Sequence, residues 1–267
     1  MKTRLPFLLC LALSWALSTG CQVVPETGRK QLMLVSPAEE ARSGLAAFAD
    51  IKKTEKLTTN PAYIAQVQRV GARIAASVGA RMPGTNWEFA VFDSAEVNAF
   101  ALPGGKVGVY TGLLKLVASD DELAIVMGHE IAHVTSHHGG ERTSQNLAVA
   151  GIGALLAVGL AEQDVSPARR NQILTAYGLG STVGVLLPFS RAHESEADMI
   201  GLQFAAGAGY DPRAAAAFWR KMSAAHTGPR PPPFLSTHPA DAERIAALEA
   251  LAPRFMGLYT ASKARYE

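Results

Sequence analysis

At 267 residues the chain can form one sizeable domain with short extensions, and 48% hydrophobic residues supply an ordinary core with no signature of disorder. The formal charge of +2 comes from 25 basic and 23 acidic residues, and its surplus is Lys2 and Arg4, both within the first twenty residues. The remainder is close to neutral, so the overall pI of about 8.6 is no argument for a nucleic-acid partner.

Residues 1–20 read as an export signal: Lys2 and Arg4 form a positive start and Phe7 to Leu17 an apolar stretch. Leu17-Ser18-Thr19-Gly20-Cys21 resembles a bacterial lipobox, although Ser18 stands where Leu is usual. The resemblance implies cleavage before Cys21 and a lipid on that cysteine. Gln22, where Asp commonly marks inner-membrane retention, points to the periplasmic face of the outer membrane. Cys10 leaves with the signal and Cys21 is the acyl acceptor, so no cysteine pair is left for a disulfide.

Residues 21–35, with Pro25 and Gly28, read as an extended linker. Ser36-Pro37-Ala38-Glu39 then starts a helix, with Ser as cap, Pro at the first position and Glu three residues after the cap. It should run to Lys53. Asn60-Pro61 starts a second helix with apolar Ile64, Val67, Val70 and Ile74. Trp87 to Phe92 alternates as a strand does, and Ala99–Leu102 and Val107–Tyr110 flank Pro103-Gly104-Gly105 as two more. This predicts one small sheet. Ser119-Asp120-Asp121-Glu122 is a second capping box, and Gly139-Gly140 should end the helix it opens.

Two apolar stretches follow. Leu147 to Ala161 would span about 22 Å as a helix, short of the ~30 Å hydrocarbon core. Ile173 to Phe189 is interrupted by Tyr177, Ser181, Thr182 and Pro188. Together they read as a buried helical hairpin, the alternatives being a membrane span or an exposed apolar patch held against a membrane or partner. Ser190 begins a helix through Asp198, Asp211-Pro212 starts another reaching Ala225, and residues 226–238 form a proline-rich loop. Pro239 to Leu251 is helical again, and 252–267 is a weakly patterned basic tail.

The chemistry centres on His129-Glu130-Ile131-Ala132-His133. On a helix the two imidazoles share one face and can reach one ion. That suits a zinc ion that activates water, with Glu130 placed to take the proton, and hence a metal-dependent hydrolase. Such a site wants a third protein ligand. His137 lies about 6 Å further along the axis and reads as a flanking residue. The long three-histidine motif needs a histidine where Gly139 stands, so that class is excluded. Glu194 and Asp198, four apart, can supply a carboxylate ligand and a hydrogen-bond partner for a ligand histidine. Spacing favours Glu194 over Glu196 for the ligand. His193 and His226 have no assigned role and default to the surface.

With Glu194-Ser-Glu-Ala-Asp198 about sixty residues after it, the motif resembles that of the HtpX-like and CaaX-prenyl-protease-like zinc peptidases, a gluzincin family (peptidase family M48). Asn98-Ala-Phe-Ala-Leu-Pro-Gly-Gly105, Ser190-Arg-Ala-His-Glu194 and Ser236-Thr-His-Pro239 with Arg244 resemble further segments of that family, and the resemblance runs from Ser36 to Leu251. The export signal places the chain nearest the periplasmic BepA-like and LoiP-like members. The resemblance implies an α+β fold, mainly α-helical, with a small β-sheet next to the active-site helix. It makes residues 36–251 a zinc metallopeptidase domain, after a signal peptide (1–20) and a linker (21–35).

It also implies one Zn2+ per chain bound by His129, His133 and Glu194, with Asp198 behind them and Glu130 as general base. His238 and Arg244 would lie near the metal and stabilise the oxyanion, or His238 would fill the open zinc position and hold the enzyme latent. Asn98, Ala99, Phe100 and Ala101 would bind substrate as an added β-strand. The implied activity is a zinc endopeptidase of misfolded or unassembled envelope proteins, tethered to the membrane by lipid. The rival is an envelope chaperone or assembly factor whose zinc site is rarely used.

Overall fold

The computed structural model describes residues 21–163, 165–182, 186–225 and 231–266. The proposed signal peptide and His226 lie outside the described residues. The chain divides into two compact units, one holding the described residues up to Glu39 with His137–His193, the other Glu40–Ser136 with the residues from Glu194 onward. The stretch 36–251, read as one domain, contributes to both.

Residues 21–35, expected as a linker, carry a two-stranded antiparallel hairpin of β1 (Cys21–Val23) and β2 (Lys30–Leu32), in which Cys21 pairs with Leu32. The turn between them uses Gly28 at φ 70°. Helix α1 (Pro37–Thr54) opens on the expected capping box: Ser36 N and Oγ both donate to Glu39 Oε2, at 2.9 and 2.6 Å. Helix α2 (Pro61–Val78) is capped by Asn60, and Val67, Val70 and Ile74 form its buried stripe, whereas Ile64 is exposed.

Strands β3 (Glu88–Phe92), β4 (Ala99–Leu102) and β5 (Lys106–Tyr110) form one sheet in the order β3-β5-β4. β3 runs parallel and β4 antiparallel to β5. The β4–β5 turn takes Gly104 and Gly105 at φ 89° and 76°, angles that side chains rarely tolerate. Central β5 is buried along its whole length, so its sequence lacks the alternation of an edge strand. Phe48 of α1, Phe92, Phe100 and Tyr110 pack their rings together over the sheet.

Short helix α3 (Thr111–Leu116) leads to α4 (Asp120–Thr135), which packs on β4. α4 ends earlier than the glycines at 139–140 suggested. His137 takes the left-handed conformation, φ 55°, and α5 (His138–Ala161) restarts immediately, with both glycines inside it. α6 (Pro167–Ser181) pairs with α5, and Tyr177 Oη donates to Val149 O at 2.8 Å. The expected hairpin therefore forms, but it is not buried: Leu147, Ile152, Val158 and Leu179 are exposed.

Helix α7 (Leu187–Gly207) carries the Glu194–Asp198 segment, and the boundary between the units falls within it. His193, expected at the surface, is buried in the first unit. Its Nε2 lies 2.9 Å from Glu141 Oε2, its ring stacks on His138, and Arg29 holds the same carboxylate by two hydrogen bonds. Beyond α8 (Ala214–Ala225), the proline-rich segment holds a short helix, α9 (Pro233–Thr237), in place of a continuous loop. α10 (Ala242–Leu251) is capped by Asp241, and the tail forms a further helix, α11 (Met256–Lys263). Arg73 of α2 lies over the Tyr266 ring at 4.2 Å, which fixes the chain end in the second unit.

Candidate metal centre

The capping box that starts α4 fixes the helix register. Ser119 Oγ accepts from Glu122 N at 3.3 Å, and Glu122 Oε2 accepts from Ala118 N at 2.7 Å. Asp120, Asp121 and Glu122 also put negative charge at the positive end of the helix. From that start the spacing of 129 and 133 brings both rings to one side.

Two glycines that carry no motif decide what they meet. An added Cβ on Gly128 would stand 2.8 Å from Gly201 O, and one on Gly201 would stand 2.8 Å from His129 Cα and N. No side chain fits there. Helices α4 and α7 therefore touch backbone to backbone, which sets His129 against Asp198 and Glu194.

The donor atoms converge. His129 Nε2 lies 3.1 Å from His133 Nε2 and 3.3 Å from Glu194 Oε2, and His133 Nε2 lies 3.4 Å from Glu194 Oε1. His238 joins them, its Nδ1 2.9 Å from Glu194 Oε2 and 3.2 Å from His129 Nε2. These four residues offer ligand atoms all within 4.8 Å of one another. Tetrahedral zinc with bonds of about 2.0–2.1 Å sets its donors about 3.3 Å apart, so the set fits zinc. The two carboxylates of α7 also shape the imidazoles electrostatically. Burial disfavours a charged His129 ring, but hydrogen bonds to Asp198 and Glu194 outweigh it and lift its pKa to about 9. Burial likewise opposes ionised Glu194, and hydrogen bonds from His129, His133 and His238 overcome that and hold its pKa well below the ordinary value.

Glu130 faces the same space. It is buried, and its Oε1 accepts no hydrogen bond, with His238 Nε2 3.4 Å away. Burial raises its pKa against the pull of His238 and His129. A buried, unbonded carboxylate oxygen beside a donor cluster is placed to accept a proton from a water there.

Behind the donors, Asp198 Oδ1 lies 3.0 Å from His129 Nδ1. Arg244 clamps that carboxylate from the far side, Nε to Oδ2 and Nη2 to Oδ1, both at 2.8 Å. It also donates to Pro239 O and comes within 3.3 Å of Glu194. Its guanidinium is thus committed to the carboxylates. Beneath it lies Trp219, which the sequence reading passed over. Arg244 Cζ stands 3.8 Å over the buried indole, which also meets His129 edge-on and stacks on Phe234, itself packed against His238. No local spacing marks Trp219, since its partners are distant in sequence.

The remaining candidates divide. Glu196 is buried and His137 lies at the α4–α5 junction, and neither belongs to the donor group. Along β4, Asn98 O and Ala99–Leu102 are paired to β5, which leaves the other edge of β4 without a strand among the described residues. Ala99 is buried and Phe100 points into the aromatic cluster, so only their backbone is available for strand pairing.

Residues 61–252 match the family model described as peptidase family M48. Among curated proteins, the mitochondrial metalloendopeptidase OMA1 of Schizosaccharomyces pombe is 36% identical over 88% of this chain and 67% of its own length. OMA1 of Bos taurus is 34% identical over 88% of this chain and 47% of its own. The β-barrel assembly-enhancing protease of Escherichia coli K12 is 29% identical over 86% of this chain and 47% of its own. The chain thus spans about half the length of the latter two.

Proposed function

The chain belongs to peptidase family M48, and from that premise we propose that it is a zinc-dependent endopeptidase acting on extended segments of unfolded or unassembled cell-envelope proteins. The observation that carries this reading is the convergence of His129, His133 and Glu194 on one zinc-sized space with unbonded Glu130 Oε1 beside it. His129, His133 and Glu194 would hold the zinc ion, which would supply a Lewis acid to polarise the peptide carbonyl and acidify water. Glu130 takes the water proton and hands it to the leaving amine. Asp198 accepts from His129 Nδ1–H and so directs Nε2 at the metal. Arg244 keeps Asp198 ionised and in place, an assignment its two hydrogen bonds favour over direct oxyanion contact. The free edge of β4 receives the substrate through main-chain hydrogen bonds, which suits unfolded polypeptides and demands little of their sequence.

The envelope setting rests on the export signal and Cys21 in the sequence, and the E. coli relative's name associates it with β-barrel assembly. On this reading the chain is held by lipid at the periplasmic face of the outer membrane. Purified protein should contain one zinc per chain by metal analysis and should cleave casein. Removing the metal with a chelator should abolish cleavage, and zinc should restore it. Absence of zinc together with chelator-insensitive cleavage would overturn the proposal.

His238 defines the resting state. Its Nδ1 lies 2.9 Å from Glu194 Oε2 and 3.2 Å from His129 Nε2, where it would take up the position a catalytic zinc site keeps open, and this supports a latch over an oxyanion role. His238→Ala should therefore raise basal casein cleavage severalfold at unchanged zinc content. A loss of cleavage would assign His238 to the oxyanion instead.

A further inference from the structure

We infer that the α5–α6 hairpin is a bilayer-docking element that inserts into one leaflet independently of the lipid on Cys21. Residues 147–161 are an unbroken apolar run between Asn146 and Glu162. α5 is the one helix among the described residues long and apolar enough to cross a membrane, yet little of that apolar stretch is buried. Leu147 is 55% exposed, Ile152 40%, Val158 59%, and Leu179 of α6 66%. Leu147 and Val158, eleven residues apart, share one face of α5.

A groove of about 330 Å³ runs along the same hairpin and is lined mainly by apolar groups, among them Leu32, Val149, Ile152 and Tyr177. Open apolar surface of this extent in one unit needs an apolar partner.

The membrane is the occupant that the chain itself brings there. Leu32, in the groove wall, is the register partner of exposed Cys21. An acyl group on Cys21 would therefore start beside the groove and draw the bilayer to the hairpin. This step rests on the export and acylation reading of the N-terminus. Length sets the depth: about 22 Å of wholly apolar helix exceeds a single leaflet of roughly 15 Å but falls short of the ~30 Å core, with polar Thr143 to Asn146 before it and charged Glu162, Arg169 and Arg170 at its far turn. The hairpin thus enters tilted and returns, without spanning.

The test uses residues 21–267 with Cys21→Ser, which removes both signal and acyl site, in flotation with phosphatidylcholine vesicles. Neutral lipid removes charge attraction as a cause of binding. The protein should float with the vesicles. Val158→Asp with Leu179→Asp, at positions too exposed to carry packing, should lower the bound fraction more than about tenfold, since charge in hydrocarbon is costly. Unchanged circular dichroism and zinc content would exclude misfolding as the cause.

Failure of the Cys21→Ser protein to float would overturn the inference, as would equal binding of the double variant. So would a discrete dimer in light scattering that the double variant loses, because a second copy would then cover the face. Casein cleavage measured in parallel separates the two readings: flotation without cleavage supports docking while removing the protease assignment.

Discussion

Glu130→Gln should lower kcat for peptide cleavage by about a hundred- to ten-thousand-fold, the range a positioned general base contributes, while zinc content stays at the level of the unaltered protein. The substitution keeps the shape of a buried side chain and removes only its ability to take a proton. Glu130 lies outside the group of donors that converge on the metal space, so zinc has no reason to leave. Its Oε1 accepts no hydrogen bond that an amide would break. Parallel measurement of kcat and bound zinc makes the result decisive. Lost activity with retained zinc assigns the proton transfer to Glu130, whereas lost zinc would mean that the residue supports the site structurally. The same variant separates protease from chaperone. If envelope assembly in cells carrying Glu130→Gln is intact, cleavage is not the function that matters.

What the sequence disclosed about this site is what short-range geometry controls. The starts of α1, α2 and α4 were legible because Ser36, Asn60 and Ser119 cap their own neighbours. His129 with His133, and Glu194 with Asp198, were legible as pairs because four residues make about one helical turn. The angle and distance at which the two pairs meet were not. Those depend on Gly128 against Gly201, where each glycine costs its helix about 1 kcal/mol relative to alanine and is justified only by a partner some seventy positions away. Trp219 was missed for the same reason, since its role exists only once α4, α9 and α10 bring His129, Phe234 and Arg244 around it. The hairpin misled in a different way. An apolar run in a sequence says that a segment avoids water but not what covers it, and among the described residues little of Leu147–Ala161 is covered.

Glu194→Ala should lower zinc affinity by more than about a hundredfold, beyond the roughly ten- to hundredfold that Asp198→Asn should cost as the loss of a partner behind a ligand. Glu196→Gln should leave affinity unchanged. The three variants divide a cluster of carboxylates that spacing alone leaves partly ambiguous. Glu194 meets His129, His133 and His238 directly. Its removal takes away a donor and also the carboxylate that meets all three imidazoles in a buried space, so both the bond and the local charge turn against binding a cation. Asp198 meets His129 only through Nδ1, on the far side from the donor atom. Asparagine keeps a carbonyl acceptor there and forfeits mainly the charge, so the ring stays oriented but becomes a weaker donor. Competition against a zinc-chelating dye reads all three as dissociation constants without reference to activity. An equal loss in Glu194→Ala and Asp198→Asn would make Glu194 an outer partner and not a ligand. A zinc-deficient Glu196→Gln would transfer the third-ligand role to Glu196, and would require α7 to turn about its axis from the face it presents to His129.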